Sequence, residues 1–517
     1  MNKSSFIYGA IILAIVNFIV RFIGFAYKII LSREIGPEGI GLFQIASPVL
    51  MFFITFTTAG IPVAVSKLVA AQKALRNDLG CKKVLRSAIL LAFSISSVFI
   101  FILIIFGQFI CRNILKNNDV YYLILMLAPA IMIISLSSVI RGYFYGLKKV
   151  SPPGIAQILE QLTRIFFVLA TVRYLQPITP RLGALIAVVG ISVGEIFGLL
   201  WLMFHYRLHS RFQVYLPMKS QSYISFISKI FYIASPITIS RLIGIVMQLS
   251  NAVLIPQKLA EAGYTSKEAI SIFGKVMGMS MPMLFLPFIV TSALVVNIIP
   301  NLAEGIEQKR FSHIKSNIAL CIRIVLLISI PITVVFVMFS KPIAMVLYND
   351  SDVGRYMSIL GFSTVFLSLQ STLSGILNGI GKQVPATINN LIGMCFQLLS
   401  TYFLVGNPSY GINGFFIGFI ASSFIISTLD FITLNRVISI DINLKDYLLK
   451  PMFASLLSIT SIMFAYNFLI NLSAKNYINL ILCLCIGGIV YLITLLITKA
   501  LPPSLTKRLF DFKVYNR

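Results

Sequence analysis

Three basic side chains lie inside stretches of the chain that are otherwise strongly apolar. Arg21 and Lys28 occur in NFIVRFIGFAYKII (17–30), and Arg241 opens the similar run RLIG (241–244). Each unneutralised charge costs roughly 2.5 to 3.5 kcal/mol in the middle of a membrane-spanning helix. Because Lys28 follows Arg21 by seven positions, both project from one face of a helix. Guanidinium and ammonium groups bind phosphate oxygens, so this face predicts a site for an anion such as a diphosphate.

Further charged residues lie in or near the apolar stretches. They are the basic residues Arg141, Arg164, Lys275 and Arg323 and the acidic residues Glu160, Glu195 and Asp430. Two interpretations stay open: the cations and Glu160 contact the bound molecule, or they pair structurally and snorkel to the membrane surface. Glu160 and Arg164 are four positions apart and can pair along one helix. Asp430 and Glu195 are candidates for binding a coupling proton or sodium ion.

The composition restricts the class of protein. The 517 residues are 58% hydrophobic and 11% charged, and the mean hydropathy is +0.93. Such a chain cannot cover itself with polar surface, so we expect an integral membrane protein. Apolar runs of about 20 residues recur along the whole length, whereas a membrane barrel needs alternating segments of roughly 10. The fold class is therefore an all-α polytopic membrane protein.

The sequence predicts about fourteen transmembrane helices and no soluble domain between them. Their expected ranges are 6–30, 41–62, 88–108, 121–145, 154–175, 183–205, 229–255, 273–300, 317–339, 356–378, 386–405, 412–434, 451–471 and 476–499. The first apolar segment has no small-residue cleavage site after it, so it is predicted to be a retained helix.

The net charge of +26 is distributed unevenly, and the distribution argues against a nucleic-acid partner. With a cytosolic N-terminus, most of the 42 lysines and arginines fall in cytosolic segments, which fits the positive-inside rule with both termini cytosolic. The most basic segment, 66–87, is expected to contact membrane lipids. The six cysteines have no zinc or redox spacing, and the three histidines have no acidic partners nearby. We therefore expect no metal, no cofactor and no enzymatic activity.

The chain contains an internal repeat. SLSSVIRGYFYGLKKVSP (135–152) aligns without gaps to SLQSTLSGILNGIGKQVP (368–385), and Ser135, Ser138, Gly142, Gly146 and Pro152 are among the residues that are identical in the second segment. This predicts two six-helix bundles, an N-lobe at 1–215 and a C-lobe at 216–440, followed by two helices and a basic cytosolic tail at 441–517. Repeats with an even number of helices are related by an axis along the membrane normal, and they are expected to enclose a central cavity suited to alternating access.

Three stretches resemble the polysaccharide-transporter branch of the multidrug/oligosaccharidyl-lipid/polysaccharide flippase superfamily. They are LSREIGPEGIGLFQIASPVLMFFITFTTAGIPVAVSKLVA (31–70), RGYFYGLKKVSPPGIAQILEQLTRI (141–165) and FGKVMGMSMPMLFLPFIVTSALVVNIIPNLAE (273–304). In the related lipid II flippases the first helix has Arg, Gly-Phe and then Arg-Asp. Arg21 and Gly24-Phe25 match that pattern, and Tyr27-Lys28 stand where Arg-Asp would be.

The resemblance implies a flippase in the cell membrane of a spore-forming bacterium. It implies that an undecaprenyl-diphosphate-linked peptidoglycan precursor crosses by alternating access during spore cortex synthesis. The sequence leaves open whether membrane potential, H⁺ or Na⁺ supplies the energy. It also implies that helices 13 and 14 hold the lipid tail. Two alternatives remain: a multidrug/cation antiporter of the same superfamily that uses Glu195 or Asp430, and a membrane scaffold for cell-wall synthesis enzymes.

Overall fold

The computed structural model describes residues 3–211, 222–288, 291, 308, 311–440, 443–470 and 476–501. Every secondary-structure element in these ranges is helical, which confirms the predicted fold class. The later part of the expected helix at 273–300 and the basic tail from 502 onward lie outside the described residues. The chain divides into two compact units, Met1–Gly274 and Lys275–Arg517, and each has its own architecture.

The described part of the first unit contains nine α-helices, and most of them pack against helices that are close in the chain. In order they are α1 (Lys3–Thr58), α2 (Ile61–Ala74), α3 (Asp78–Phe109), α4 (Tyr121–Leu125), α5 (Ala128–Gly146), α6 (Ser151–Tyr174), α7 (Pro180–Arg211), α8 (Tyr223–Glu261) and α9 (Ser266–Phe273). Helix α6 packs closely on α7, and α5 packs on α2, α3 and α7. Helix α8 packs against α1, α2 and α3, although the sequence repeat places it at the start of the second half.

Helix α1 contains a sharp break at Gly36. The backbone of Gly36 has φ 71° and ψ 175°, a conformation that residues with a side chain rarely adopt, and Pro37 follows it directly. The sequence predicts a connecting segment between the spans 6–30 and 41–62. The structure confines that connection to one residue, since helical backbone continues on both sides of the glycine.

The glycines of the repeated motif allow α5 to approach α2 closely. A β-carbon at Gly142 would lie 2.6 Å from the carbonyl oxygen of Pro62, and one at Gly146 would lie 2.7 Å from that of Ser66. Neither position can hold a side chain without moving the neighbouring backbone. The two glycines therefore serve helix packing, in the way small residues do in membrane proteins.

The second unit is also helical in its described part. Its helices are α10 (Met281–Leu284), α11 (Phe311–Tyr348), α12 (Ser351–Gly361), α13 (Ser363–Gly379), α14 (Gln383–Leu404), α15 (Ile412–Val437), α16 (Lys450–Ile470) and α17 (Asn476–Ile497). Helix α15 packs on α13 and α14, while α16 packs on α17 and on α11. This unit thus joins part of the predicted C-lobe with the two appended helices.

The described helices are long and apolar enough to cross a membrane repeatedly. Ten of them qualify, and α12 with α13, which meet at 52°, form an eleventh span if they are taken together. One of the ten, Ile15–Ala74, is a run of 60 residues, whereas a single crossing needs about 20. The chain is a multi-pass membrane protein, and the exact number of fourteen spans stays a prediction.

Candidate functional site

Four charged side chains meet inside the first unit and form a charged quartet of Arg141, Glu160, Arg164 and Glu195. Nη2 of Arg141 donates to Oε1 of Glu160 and lies 3.3 Å from Oε2 of Glu195. Nη2 of Arg164 lies 3.7 Å from the other oxygen of Glu195. Because two cations face two carboxylates, the quartet is neutral as a whole. Both carboxylates are buried, and partners on other helices satisfy them.

The quartet joins three helices, since Arg141 lies on α5, Glu160 and Arg164 on α6, and Glu195 on α7. Among the described residues, the expected pair between Glu160 and Arg164 along α6 is replaced by ion pairs between helices. Arg141 takes part in two of these pairs. It reaches across to both acids because α5 and α6 pack against α7.

Glycines on α7 make room for this arrangement. A β-carbon at Gly198 would lie 2.2 Å from Oε1 of Glu160, and one at Gly194 would lie 2.6 Å from the carbonyl oxygen of Glu160. Gly190, one turn earlier, faces Val168 on α6 in the same way, at 2.3 Å. The Glu160 carboxyl therefore occupies space that any larger residue on α7 would fill.

Several buried donors around the quartet have no hydrogen-bond partner among the described residues. They are Nε of Arg141, Nε of Arg164, the hydroxyl of Tyr27 on α1 and the hydroxyl of Ser192 on α7. Buried polar groups in proteins are nearly always paired with protein, water or ligand. These N–H and O–H groups can donate to phosphate, carboxylate or sugar oxygens.

Helix α1 brings the predicted cationic face next to the quartet. A β-carbon at Gly24 would lie 3.9 Å from Oε1 of Gln161, the residue that follows Glu160 on α6. Arg21 and Lys28 are both exposed on α1. Since Gly24 lies between them in the chain, the two cations flank the contact between α1 and α6.

Arg241 is exposed on α8, and nothing lies within 4 Å of a β-carbon built at Gly244, one turn later. Neither Arg241 nor Lys28 forms an ion pair with another residue in the described part of the chain. The two side chains therefore carry charges that no acid in the described part of the chain neutralises. The residues predicted from the sequence thus fall into two groups in the first unit. Arg21, Lys28 and Arg241 are exposed on α1 and α8, whereas the charged quartet is paired between α5, α6 and α7.

An apolar cavity of about 220 Å³ lies between α1, α2, α3 and α8. It is lined by Phe56, Ile61, Leu91, Ile95, Phe231, Ala234, Ser235, Thr238, Ile239 and Leu242. Pockets that enclose drug-sized molecules measure about 300–1,000 Å³. This cavity is smaller, and its lining carries no charge.

Lys275 and Arg323 are held by partners in the second unit. Nζ of Lys275 lies 2.9 Å from Asp350 and 2.7 Å from Asp352, at the start of α12. Nη2 of Arg323 donates to the carbonyl oxygen of Ala500 just after α17, and its guanidinium lies 5.8 Å from the ring centre of Tyr447. Each cation thus has partners in a neighbouring segment, and whether it also lies at the membrane surface stays a prediction.

Asp430 lies fully buried on α15 in a polar cluster of the second unit. Ser374 on α13 donates to one carboxyl oxygen, and Nδ2 of Asn389 on α14 lies 2.9 Å from the other. Asn389 also lies 3.2 Å from the hydroxyl of Thr433. In the part of the chain that the structure describes, no lysine, arginine or histidine forms an ion pair with Asp430.

Sequence reasoning missed Tyr27, Gln161 and Ser192, the neutral residues around the quartet. Single polar residues in apolar helices carry no periodic signal, so their position could not be inferred. The run of glycines at 190, 194 and 198 was a usable signal, since small residues at this spacing indicate a close helix contact. It would have placed the acids of α6 and α7 together.

Comparison with known proteins identifies the family. The polysaccharide biosynthesis protein family matches residues 6–304, more than half of the chain. The chain belongs to this family. The MatE family also matches, over residues 259–403. Within the described ranges, no group of three or more histidine, cysteine, aspartate or glutamate residues could hold a metal ion.

Relatives of this polysaccharide biosynthesis family protein include two from Bacillus subtilis (strain 168). Stage V sporulation protein B is 27% identical over 511 residues, which cover 98% of both chains. Lipid II flippase MurJ is 23% identical over 425 residues, which cover 77% of both chains. Both relatives match over most of their lengths.

A solved structure has the same fold. Lipid II flippase MurJ in an inward closed conformation superposes with a TM-score of 0.69 at 16% identity, covering 96% of this chain and 99% of that one. The likeness extends across nearly all helices. The chain therefore shares the fold of that structure.

Proposed function

We propose that this protein moves an undecaprenyl-diphosphate-linked peptidoglycan precursor across the cytoplasmic membrane by alternating access. The head group would cross through the protein while the polyprenyl tail stays in the lipid. Spore cortex synthesis would be the process served, in line with the similarity to stage V sporulation protein B. Both termini would be cytosolic, and the protein would act as a transporter with no chemical step of its own.

The observation that carries this proposal is the set of exposed cations on apolar helices. Arg21, Lys28 and Arg241 lie in membrane-spanning helices, and each is exposed. A cation facing lipid costs roughly 2.5 to 3.5 kcal/mol on insertion scales. Facing a wet path that receives a diphosphate removes this cost, because water and phosphate oxygens solvate the side chain.

The charged quartet supports the same function. It holds the guanidinium groups of Arg141 and Arg164 in place through Glu160 and Glu195. Their Nε atoms are buried without a protein acceptor, as is the hydroxyl of Tyr27, so the quartet holds polar donors beside α1. Such donors suit the sugar or peptide oxygens of a head group whose diphosphate is neutralised by Arg21, Lys28 and Arg241.

The test is outward movement of labelled lipid II in vesicles that contain the purified protein, with and without a membrane potential. We expect Arg21→Ala and Arg241→Ala each to abolish movement, because each removes one of the cations that neutralise the diphosphate. Arg355→Ala is the matched control, since Arg355 is an exposed arginine outside these helices. Membrane insertion of all three variants should equal that of the wild type.

Two outcomes would contradict the proposal. If both variants move lipid II at the wild-type rate, the cations on α1 and α8 do not handle the substrate. If the wild-type protein moves no lipid II while its loss still impairs cortex formation, a scaffold that recruits cell-wall synthesis enzymes explains the role better.

A multidrug/cation antiporter is the second candidate, and the buried carboxyl of Asp430 is the observation that favours it. Glu195 is less suited to this role, because Arg141 and Arg164 already neutralise it. The cavity beside α8 is uncharged and smaller than pockets for drug-sized cations. Export of a fluorescent organic cation that Asp430→Asn abolishes and Arg241→Ala leaves intact would favour the antiporter.

A further inference from the structure

The internal repeat places a serine in the second unit where the first unit has an arginine. In the ungapped alignment of 135–152 with 368–385, Arg141 stands opposite Ser374. Both residues contact an acid on the last helix of their repeat, Glu195 on α7 and Asp430 on α15. At equivalent positions of the two repeats, a buried acid therefore has an arginine as its partner in the first unit and a serine in the second.

The two partners differ in what they can do with a proton. A guanidinium has only donors and carries a permanent charge, so Arg141 always presents a cation to its acids. A serine hydroxyl can donate to a carboxylate or accept from a neutral carboxyl group. The hydrogen bond between Ser374 and Asp430 therefore survives in both protonation states of Asp430. The amide of Asn389 donates to the other oxygen in either state.

The surroundings of Asp430 supply no compensating charge among the described residues. Helix α13 has no ionisable side chain, and α14 has only Cys395 and Tyr402, which are both exposed. The other charged or titratable side chains described on the elements that pack nearby are Lys382, Arg436, Asp352, Arg355, Tyr356, Lys315, Cys321, Arg323, Lys341, Tyr348 and Tyr447. Lys341 is exposed, and the hydroxyls of Tyr348 and Tyr447 donate to backbone carbonyl oxygens. Lys382, Arg436, Asp352 and Arg355 are exposed, Tyr356 packs on Phe416 near the other end of α15, and Arg323 is bonded to Ala500.

We propose that Asp430 is the proton-binding site of the transport cycle, neutral in the buried arrangement seen here. A buried carboxylate without a cation is unfavourable, so the carboxyl group takes a proton from water and keeps its hydrogen bond with Ser374. When the cluster between α13, α14 and α15 opens to water, the proton leaves to water and the carboxylate is solvated. The release of the proton during transport rests on the proposed transport function, since the proton would exchange once per transport cycle. The binding of the proton to Asp430 does not.

Binding of the proton can be tested without any substrate. Infrared difference spectroscopy of the full-length protein in lipid reports the carbonyl stretch of a neutral carboxylic acid. We expect this band in the wild type at neutral pH, with the usual downshift in heavy water and loss at high pH. Asp430→Asn should lack it, and this variant should fold because asparagine keeps both hydrogen bonds.

Two further variants separate the proton from general packing. Glu195→Gln is the matched control, and it should keep the band because the carboxyl group of Glu195 pairs with two arginines and is not the proposed proton site. Ser374→Arg introduces the residue of the first repeat, and it should abolish the band by ionising Asp430. If Ser374→Arg does not fold, Ser374→Ala is measured instead. Loss of the hydroxyl bonded to Asp430 should change the pH at which the band disappears.

Transport supplies the second readout. Lipid II movement by the wild type should change with pH and with an imposed pH gradient, whereas Asp430→Asn should respond to neither. If no protein moves lipid II, the proposed function fails and the infrared result still decides whether Asp430 binds a proton.

Three results would overturn the inference. Identical spectra of the wild type and Asp430→Asn at every pH would mean that Asp430 is ionised throughout. Loss of the band on adding Na⁺ at constant pH would assign the site to a metal cation. Asp430→Asn with the wild-type pH response would mean that the bound proton is not exchanged during transport.

Discussion

The guanidinium of Arg141 lies 3.3 Å from the carboxylate of Glu195, although the two residues belong to different helices, α5 and α7. The same guanidinium donates to Glu160 on α6. One side chain thus fixes the mutual position of three helices in the first unit. Because the acids are buried, this link cannot be replaced by water without cost.

Replacing Arg141 by alanine is expected to destabilise the protein strongly. Glu160 would lose its bonded partner and Glu195 would keep only the more distant Arg164, at 3.7 Å. Breaking a buried ion pair from one side typically costs about 3–5 kcal/mol. Thermal unfolding in detergent should therefore show a clear loss for Arg141→Ala and little change for Arg355→Ala. Equal stability of the two variants would mean that the quartet is not a structural link.

A methyl group at Gly194 is expected to force α6 and α7 apart. Its β-carbon would lie 2.6 Å from the backbone oxygen of Glu160, which cannot turn away as a side chain could. Overpacking of this kind costs about 1–3 kcal/mol. Gly488→Ala is the control, because nothing lies within 4 Å of a β-carbon there. We expect a lower unfolding temperature for Gly194→Ala alone, and a tolerated alanine at Gly194 would show that the helices separate easily.

Arg323 is expected to hold the end of α17 against α11. Its removal would leave the carbonyl of Ala500 without this donor and the ring of Tyr447 without the cation. A hydrogen bond to a charged group contributes about 1.5–3 kcal/mol. Hydrogen exchange of the amides in α17 should be faster in Arg323→Ala, while the exposed control Arg436→Ala should exchange like the wild type. Unchanged protection in Arg323→Ala would assign the docking of α17 to apolar contacts alone, such as those around Tyr491.

Lys275 is expected to matter for local structure more than for transport. Its ammonium is bound to Asp350 and Asp352, so it is not available to a substrate phosphate. Partly exposed ion pairs contribute about 0–1 kcal/mol each, and salt weakens them. Lys275→Ala should lower the unfolding temperature slightly at low salt and leave lipid II movement near the wild-type rate. If Lys275→Ala reduces lipid II movement as much as Arg241→Ala does, Lys275 contacts the substrate after all.

The helical class and the choice of charged residues followed from local properties of the sequence. Runs of apolar residues fix where helices can cross a membrane, and the spacing of Arg21 and Lys28 fixes their shared face. The ungapped repeat likewise marked positions 141 and 374 as equivalent. Family membership agrees with the resemblance carried by residues 31–70 and 141–165.

Local properties of the sequence did not determine which residues pair with the buried charges. Glu160 and Arg164 share a helix, and the expected pairing along α6 was replaced by pairs across three helices. The sequence did not identify the partners of Lys275 and Arg323, which are Asp352 for the first and the carbonyl oxygen of Ala500 for the second.

By itself the sequence determined a multi-pass helical membrane protein with cations in its apolar helices, because hydropathy and helical period are properties of neighbouring residues. Only the tertiary structure decided which charges are neutralised and which remain accessible. That outcome depends on which helix faces come into contact, and residues far apart in the chain, such as Gly198 and Glu160, set those contacts.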